Sequence, residues 1–243
     1  MTAVDAPERP ATRMARAGLC SRREAERWIA AGRVALNGVT LDSPAALVGP
    51  DDALTVDGAP VGAPPAPRLW LHHKPRGRVT THADPDGRPT VFAHLPPDLP
   101  RVVSVGRLDL NSEGLLVLTN DGAVARRLER PENGFERVYR VRVRGTVDDA
   151  DLAPMRAGAV VDGIAYAPVD ARIEQRSGAA TWVEITLREG KNREIRRLFA
   201  DRGHDVARLI RVRYGPFTLD DLPPGAVRPA PKAAARSVLR AGG

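Results

Sequence analysis

Short runs of alternating apolar and polar residues occur along much of the chain and predict β-strands. VYRVRVRG (138–145) alternates most regularly, with Tyr139 and two valines on one face and three arginines on the other. The segments VVSV (102–105), LLVLT (115–119) and WVEITL (182–187) have the same short, apolar pattern. The larger part of the chain is therefore predicted to be built on short strands.

A smaller module is predicted over residues 11–57. Ser21 and Glu24 form an S-x-x-E capping pattern, apolar residues follow at helical spacing, and Gly32 suits the end of a helix. The segment RVALNGVTL predicts a hairpin, because Asn37-Gly38 is the strongest two-residue turn signal. We expect an α/β module.

One helix is predicted in the larger module, over about residues 192–202, with Gly203 as its end. Its apolar and basic faces lie opposite each other and consist of Ile195, Leu198 and Phe199 and of Arg193, Arg196 and Arg197. The larger module, residues 68–243, is therefore predicted to be α+β with a basic helix face.

Two segments are predicted to lack regular structure. Pro and Gly dominate GAPVGAPPAP (58–67), which we expect to be a flexible linker that lets the two modules change their relative orientation. Residues 1–10 are predicted to be a disordered tail. The Ala-rich C-terminal segment PKAAARSVLRAGG is compatible with a short helix.

The charge of the chain favours a polyanionic partner. There are 37 Lys and Arg against 30 Asp and Glu, which gives a net charge of +7. The excess is concentrated in residues 11–41, with six Arg against two Glu, and in residues 188–213, with nine Lys and Arg against four Asp and Glu. Aromatic residues make up only 4%, so no stacking surface for single strands is evident.

The sequence argues against several other classes of protein. No run approaches the ~18 apolar residues of a membrane span, and the N-terminus has no apolar signal core. Cys20 is the single cysteine, and the five histidines lack metal-ligand spacing. We therefore expect a cytoplasmic protein that binds neither a membrane nor a metal.

Asp109 is the first candidate for chemistry. It lies in a polar loop between two apolar strands, where an aspartate commonly forms a turn. The apolar flanks should hold this loop rigidly at the end of a sheet. A carboxylate there could form a reaction centre with a strand tyrosine and an arginine-rich helix. From the residues alone, a turn-forming role stays open.

Longer motifs carry a resemblance to a known family. VGRLDLNSEGLLVLTNDG (105–122) resembles the G-R-L-D signature of the bacterial rRNA pseudouridine synthases of the RsuA/RluB type. Three further segments resemble, in order, the family's K-P-x-G, K-x-Y-x-V-x-V-x-G and E-G-x-N-R-Q motifs: residues 73–96, 137–145 and 187–219. ARAGLCSRREAERWIAAGRVALNG (15–38) resembles the S4 RNA-binding module.

The chain departs from the family pattern at three positions. Arg137 replaces the usual Lys, Leu198 replaces Met, and Glu194 replaces Gln. Of these, Arg137 keeps the positive charge, whereas Glu194 adds a negative charge to a basic motif. We expect Glu194 to weaken a phosphate contact and to leave the neighbouring arginines in place.

The resemblance implies a fold and a reaction. The fold is an S4-like module linked to a mainly antiparallel catalytic domain, and the reaction converts a uridine in rRNA to pseudouridine without a cofactor. The target base must leave its stack to be reached. Asp109 is the implied catalytic carboxylate, which stabilises an oxocarbenium ion, attacks C1′ or removes a 2′ proton.

Two further catalytic residues are implied. Arg196 is the implied partner of Asp109 and offsets the rise in the pKa of the carboxyl that burial causes, with Arg193 as the alternative partner. The alternative role of Arg196 is a contact with an RNA phosphate. Tyr139 matches the active-site tyrosine, which stacks on the base and accepts the C5 proton, although a core tyrosine fits the residues too. Ile195 or Leu198 packs against the base.

The expected partner is ribosomal RNA or a ribosome assembly intermediate, with the large subunit favoured over the small subunit and the protein acting as a monomer. Selection of the site should come from RNA shape. The residues expected to bind RNA are Arg22, Arg23, Arg27, Arg33, Arg107, Lys191, Arg193 and Arg197. A tRNA-modifying enzyme and a non-catalytic RNA-binding or ribosome-assembly factor are the alternatives.

Overall fold

The computed structural model describes residues 7–240, which contain helices and strands in both predicted modules. The α-helices are α1 (Pro10–Arg16), α2 (Arg22–Ala30), α3 (Gly122–Glu129), α4 (Asp149–Ala157), α5 (Glu194–Asp201) and α6 (Lys232–Arg240). The strands are β1 (Val34–Leu36), β2 (Val39–Thr40), β3 (Leu54–Val56), β4 (Ala59–Pro60), β5 (Leu69–Lys74), β6 (Val103–Ser104), β7 (Glu113–Thr119), β8 (Arg137–Arg144), β9 (Ala159–Val161), β10 (Ile164–Tyr166), β11 (Asp170–Ser177), β12 (Ala180–Leu187), β13 (Val206–Tyr214), β14 (Phe217–Thr218) and β15 (Val227–Pro229).

The small module packs α1 and α2 against a four-stranded antiparallel sheet in the order β2-β1-β3-β4. The Ser21 hydroxyl accepts a hydrogen bond from the Glu24 N–H (3.1 Å), as the capping pattern predicted. Asn37 and Gly38 form the predicted turn with φ of +51° and +81°. The helix and the hairpin are therefore confirmed.

The segment 58–67 is not linker throughout. Asp57 and Gly58 have φ of +49° and +79° and turn the chain into β4, which pairs with β3. The prediction that this whole segment avoids a sheet was therefore wrong at its start. Asp-Gly is itself a hairpin signal, and a proline is tolerated in an edge strand.

The prediction that residues 1–10 form a disordered tail was wrong for residues 8–10. Residues 1–6 lie outside the described residues. Glu8, however, pairs with Val48 in an antiparallel bridge, and Pro10 begins α1. Proline at the first position of a helix costs no hydrogen bond, because that N–H has no partner within the helix. Residues 8–10 therefore belong to the small module.

The larger module is built on a nine-stranded sheet in the order β11-β12-β8-β13-β7-β5-β15, with β14 on β13 and β6 on β7. All neighbouring strands are antiparallel except β13 and β7, which are parallel. The predicted strands correspond to β6, β7, β8 and β12. The fold is α+β with a mainly antiparallel sheet, as expected.

The alternation of β8 and the apolar face of α5 are confirmed, whereas in the predicted basic face Arg193 precedes the helix and Arg196 and Arg197 are half-buried. Val141 and Val143 are fully buried, whereas Arg142 and Arg144 are exposed. The apolar face of α5 is buried in the core, and the helix begins only at Glu194, because the preceding residue has a left-handed backbone. The C-terminal helix α6 forms as well and buries Val238. No helix within residues 7–240 is long and apolar enough to cross a membrane.

Candidate active site

A cavity of about 520 Å³ lies between the β6–β7 loop and the segment that precedes α5. Six residues that the sequence analysis proposed for catalysis, RNA binding or contact with the base line it: Arg107, Asp109, Tyr139, Lys191, Arg193 and Ile195. The fold thus brings residues from three separate motifs to one cavity, which has the size typical of a pocket for a small ligand.

A buried lysine anchors the loop that contains Asp109. Lys74, at the end of β5, is 0% exposed. Its Nζ donates to the carbonyl oxygens of Pro75 (3.0 Å), Asp109 (3.1 Å) and Ser112 (2.7 Å). A turn hydrogen bond from the Ser112 N–H to the Asp109 carbonyl (3.0 Å) closes the loop. The backbone of the candidate carboxylate is therefore fixed.

Burial lowers the pKa of Lys74 to about 8, and the nearby carboxylates Asp109 and Glu113 oppose this shift. The full exclusion of the side chain from solvent agrees with this direction. A desolvated ammonium is retained here because three carbonyl oxygens accept its three protons.

Further side chains hold the rest of the loop. The Thr80 hydroxyl donates to the Leu108 carbonyl (2.8 Å), and the Glu129 carboxylate accepts from the Gly106 N–H (2.7 Å). The Arg196 guanidinium donates to the Asn111 carbonyl (3.1 Å). These contacts come from different parts of the chain, so the loop is rigid because tertiary structure surrounds it.

Tyr139 lies in β8 with its side chain half-buried and facing the cavity. It packs against two separate apolar clusters. The sequence left open whether Tyr139 packs in the core or borders the site, and its ring does both. The side chain is held firmly and still borders the space in front of Asp109.

Arg196 does not form the predicted ion pair. Within residues 7–240 no ion pair joins Asp109 to Arg196 or Arg193, and Arg196 donates instead to the carbonyl oxygens of Asn111 (3.1 Å) and Val206 (2.9 Å). Burial and the neighbouring Arg193 lower the pKa of Arg196, whereas Asp109 acts in the opposite direction. Arg196 therefore links the loop to β13 and lies close enough to Asp109 for an electrostatic effect.

Arg193, the alternative partner, lines the cavity and is exposed. It precedes α5 with φ of +53°, a left-handed backbone that is uncommon for a side chain of this kind. Ile195 lines the cavity, whereas Leu198 is buried in the core away from it. Of the two residues expected to pack against a base, only Ile195 is in position.

Glu194 contradicts the expectation from its sequence context. It is 3% exposed and accepts from the Lys191 N–H (3.1 Å), so it lies inside the protein and not among exposed arginines. Burial and the neighbouring Glu189 raise the pKa of Glu194 to about 7. The sequence motif gave no sign of this burial, because Glu194 stands there among several arginines.

Lys191 is exposed at the cavity and also forms contacts within the protein. Its Nζ donates to Glu189 (2.5 Å) and to the Ala165 carbonyl (2.7 Å), and it lies 5.5 Å from the centre of the Tyr166 ring. The side chain is therefore engaged in holding the wall of the cavity.

Comparison with known proteins identifies the family. The model of the RNA pseudouridylate synthases matches residues 68–201, and the model of the S4 domain matches residues 11–54. The chain belongs to the RNA pseudouridylate synthase family. It is therefore an isomerase that acts on RNA.

Individual relatives agree with the family. An uncharacterized RNA pseudouridine synthase of Rickettsia felis is 47% identical over 221 residues, which cover 91% of this chain and 96% of the relative. The ribosomal large subunit pseudouridine synthase B of Shigella flexneri is 42% identical over 212 residues, which cover 85% of this chain and 73% of the relative. A crystal structure of a pseudouridylate synthase superposes with a TM-score of 0.67 at 25% identity and covers 95% of this chain and 99% of that one.

The S4 domain of the synthase carries four of the arginines predicted to bind RNA, and all four are exposed. Arg27 contacts Glu24, and Arg33 pairs with Asp57 (2.5 Å) and lies over the Trp28 ring. By contrast, Arg22 and Arg23 form no ion pair within residues 7–240. These four arginines thus fall into a pair that contacts carboxylates and a pair that forms no ion pair among the described residues.

The remaining predicted RNA-binding residues differ in exposure. Arg107 is exposed at the cavity, whereas Arg197 is half-buried in α5 and does not line it. Among the described residues 7–240 no group of His, Cys, Asp and Glu is arranged to hold a metal ion.

Lys74 is a residue beneath the site that sequence reasoning did not single out. Its segment was recognised as a motif, and a lysine directly before a proline at the end of an apolar strand was the available signal. Nothing in the sequence showed that its amine reaches the loop that contains Asp109.

Proposed function

We propose that this synthase converts a specific uridine of large-subunit ribosomal RNA to pseudouridine, with Asp109 as the catalytic carboxylate. The proposal is supported most directly by one observation: Asp109 and Tyr139 border the same cavity, and the Asp109 backbone is fixed there by Lys74. The name of the Shigella flexneri relative, which shares 42% identity, supports the large subunit.

The reaction breaks the bond between N1 of uracil and C1′ of ribose and forms a bond between C5 and C1′. Cleavage develops positive charge at C1′, which an adjacent carboxylate stabilises. The proton on C5 is then lost and N1 gains one, so no redox cofactor is needed. Holding Asp109 at a fixed position lowers the cost of orienting it in the transition state.

Tyr139 is proposed to stack on the uracil ring and to accept the C5 proton. Its ring borders the cavity and is held by two apolar clusters, so it offers a flat surface at little entropic cost. Ile195 is proposed to contact the base from the other wall of the cavity.

Arg196 is proposed to act on Asp109 from behind the loop. Its bond to the Asn111 carbonyl fixes the loop, and its charge favours the ionised carboxylate. Arg193, on the cavity side, is proposed to contact the phosphate next to the extruded nucleotide together with Arg107.

The division of labour follows the two modules. Residues 11–57 are proposed to hold the RNA, and residues 68–243 to carry out the reaction. We expect the synthase to act as a monomer on rRNA or on an assembly intermediate. Phosphate contacts from the S4 domain offset the cost of extruding the base, which is roughly a few kcal/mol.

The deciding experiment uses rRNA labelled with tritium at C5 of uridine. The wild-type protein should release tritium from large-subunit rRNA, whereas Asp109→Asn should bind the same RNA with similar affinity and release at least roughly 10³-fold less. Asp98→Asn, which alters an exposed-loop aspartate outside the cavity, is the matched control. Equal release by wild type and Asp109→Asn would remove Asp109 from its role.

The RNA target is tested separately. Pseudouridines are mapped in small- and large-subunit rRNA of a strain that lacks the gene, with and without the restored protein. One missing modification in large-subunit rRNA is the expected result. A missing modification in small-subunit rRNA or in tRNA would correct the substrate and leave the activity in place.

A further inference from the structure

Arg211 of β13 is a buried arginine that borders the cavity beside Tyr139. The residue is only 2% exposed. β13 and β8 are antiparallel, and Arg211 lies directly opposite Tyr139 in their register. Opposite residues of adjacent antiparallel strands project their side chains to the same face, and both residues line the cavity.

The hydrogen bonds of Arg211 are incomplete. Its Nε donates to the Leu115 carbonyl (2.7 Å), whereas its buried Nη2 has no hydrogen-bond partner within residues 7–240. Glu113 does not neutralise it, because that carboxylate is bound by Arg208 at 2.6 Å and 3.3 Å. A buried charged donor without an acceptor is costly, so a ligand that supplies an acceptor is favoured.

The surrounding structure holds Arg211 in place before any ligand arrives. Gly114 of β7 has φ of +103°, and a Cβ atom there would lie 2.3 Å from the Arg211 carbonyl oxygen. Only glycine therefore permits this close approach of the two backbones. The guanidinium also lies 5.1 Å from the centre of the Tyr214 ring. Such preorganisation is characteristic of a binding group.

We propose that Arg211 is a substrate-binding residue whose Nη2 donates a hydrogen bond to a carbonyl oxygen of the uracil in the cavity. The inference rests on the proposed function. A guanidinium only donates, and the uracil ring carries two carbonyl acceptors at its edge. Phosphate is the less suitable ligand, since Arg211 is buried next to the Tyr139 ring. The exposed Arg107 and Arg193 are accessible to the phosphates of the RNA backbone.

The test combines a protein variant with an altered base. Short RNAs carry uridine, 2-thiouridine or 4-thiouridine at the mapped target position, and sulfur is a weaker acceptor than oxygen. Arg211→Met should lower kcat/KM for uridine roughly 10- to 100-fold. In the wild type one of the two sulfur substitutions should lower kcat/KM, and in Arg211→Met the same substitution should have no further effect.

A matched control and a rescue variant keep the result interpretable. Arg142→Met alters an exposed arginine on the opposite face of β8 and should leave kcat/KM within twofold. Arg211→Lys keeps a cationic donor group and should recover part of the lost kcat/KM. If thermal unfolding shows that Arg211→Met is not folded, the sulfur series is measured with Arg211→Lys, where the sensitivity to sulfur should be smaller than in the wild type.

Three results would overturn the inference. The first is an equal sulfur effect in wild type and variant, and the second is unchanged kcat/KM in folded Arg211→Met. The third is a reduced salt dependence of RNA binding in the variant, which would assign Arg211 to a phosphate. A wild-type protein that releases no tritium from any RNA removes the proposed function and this inference together, whereas an active wild type with any of the three results removes the inference alone.

Discussion

Four exposed arginines of the S4 domain and three buried cations at the cavity or beneath the Asp109 loop have opposite environments. Arg22, Arg23, Arg27 and Arg33 are all exposed, and two of them pair with carboxylates of their own domain. Lys74, Arg137 and Arg211 are 0%, 6% and 2% exposed, and their hydrogen bonds go mainly to backbone carbonyl oxygens.

A basic residue of an RNA-binding protein can serve two purposes. An exposed cation contributes to affinity through a phosphate and is screened by salt. A buried cation fixes the backbone around it, since removing it leaves several carbonyl oxygens without a donor. Arg137 illustrates the second case: it donates to the carbonyls of Phe135, Arg188 and Glu129 and to the Tyr214 hydroxyl.

The largest effect beyond Asp109 itself is expected at Lys74. Lys74→Met removes the donor to three carbonyl oxygens, so the Asp109 loop loses its anchor and kcat should fall roughly 100-fold. Steady-state tritium release measures this. RNA affinity should change less than threefold, because Lys74 is excluded from solvent.

The control for Lys74 is Lys232→Met, which removes an exposed lysine at the start of α6. It should leave kcat unchanged. A folded Lys74→Met protein with kcat within twofold of the wild type would contradict the anchoring role and weaken the distinction between buried and exposed cations.

A smaller effect is expected at Glu194, a buried carboxyl group in the wall of the cavity. Its pKa in the folded protein is raised to about 7, so the folded state binds more protons than the unfolded state between about pH 4.5 and pH 7. The wild-type protein should therefore lose stability as the pH rises through this range. At pH 8 the free energy of unfolding of Glu194→Gln should exceed that of the wild type by up to about 3 kcal/mol. At pH 4 the two free energies should be equal.

Urea unfolding of both proteins at pH 4, 6 and 8 measures this difference. Glu132→Gln, an exposed glutamate, should show no pH-dependent gain. A constant difference between Glu194→Gln and wild type across the three pH values would show that Glu194 does not titrate as its burial indicates.

The smallest effect is expected in the S4 domain. Arg22→Ala with Arg23→Ala should weaken RNA binding severalfold and reduce the salt dependence of binding, while kcat stays the same. Filter binding at several salt concentrations measures both. Arg33→Ala should have less effect, because Asp57 already neutralises that arginine. A larger loss in Arg33→Ala than in the double variant would reverse the ranking of these arginines.

Much of the fold could be predicted because its signals are local. The Ser21 cap, the Asn37-Gly38 turn and the alternation of β8 depend on residues only a few positions apart. The same is true of the apolar face of α5. The boundaries near residues 8–10 and 58–60 were missed, because pairing with Val48 and with β3 overrides a composition that looked unstructured.

For the site, the sequence by itself determined the motif that contains Asp109, the tyrosine on its strand and the excess of arginines. Only the tertiary structure decided which charges are buried: Lys74 beneath the loop, Glu194 inside the wall and Arg211 beside Tyr139. The reason is physical. Burial and hydrogen bonding of a charged group depend on partners that are distant in the chain, and a local pattern contains no information about them.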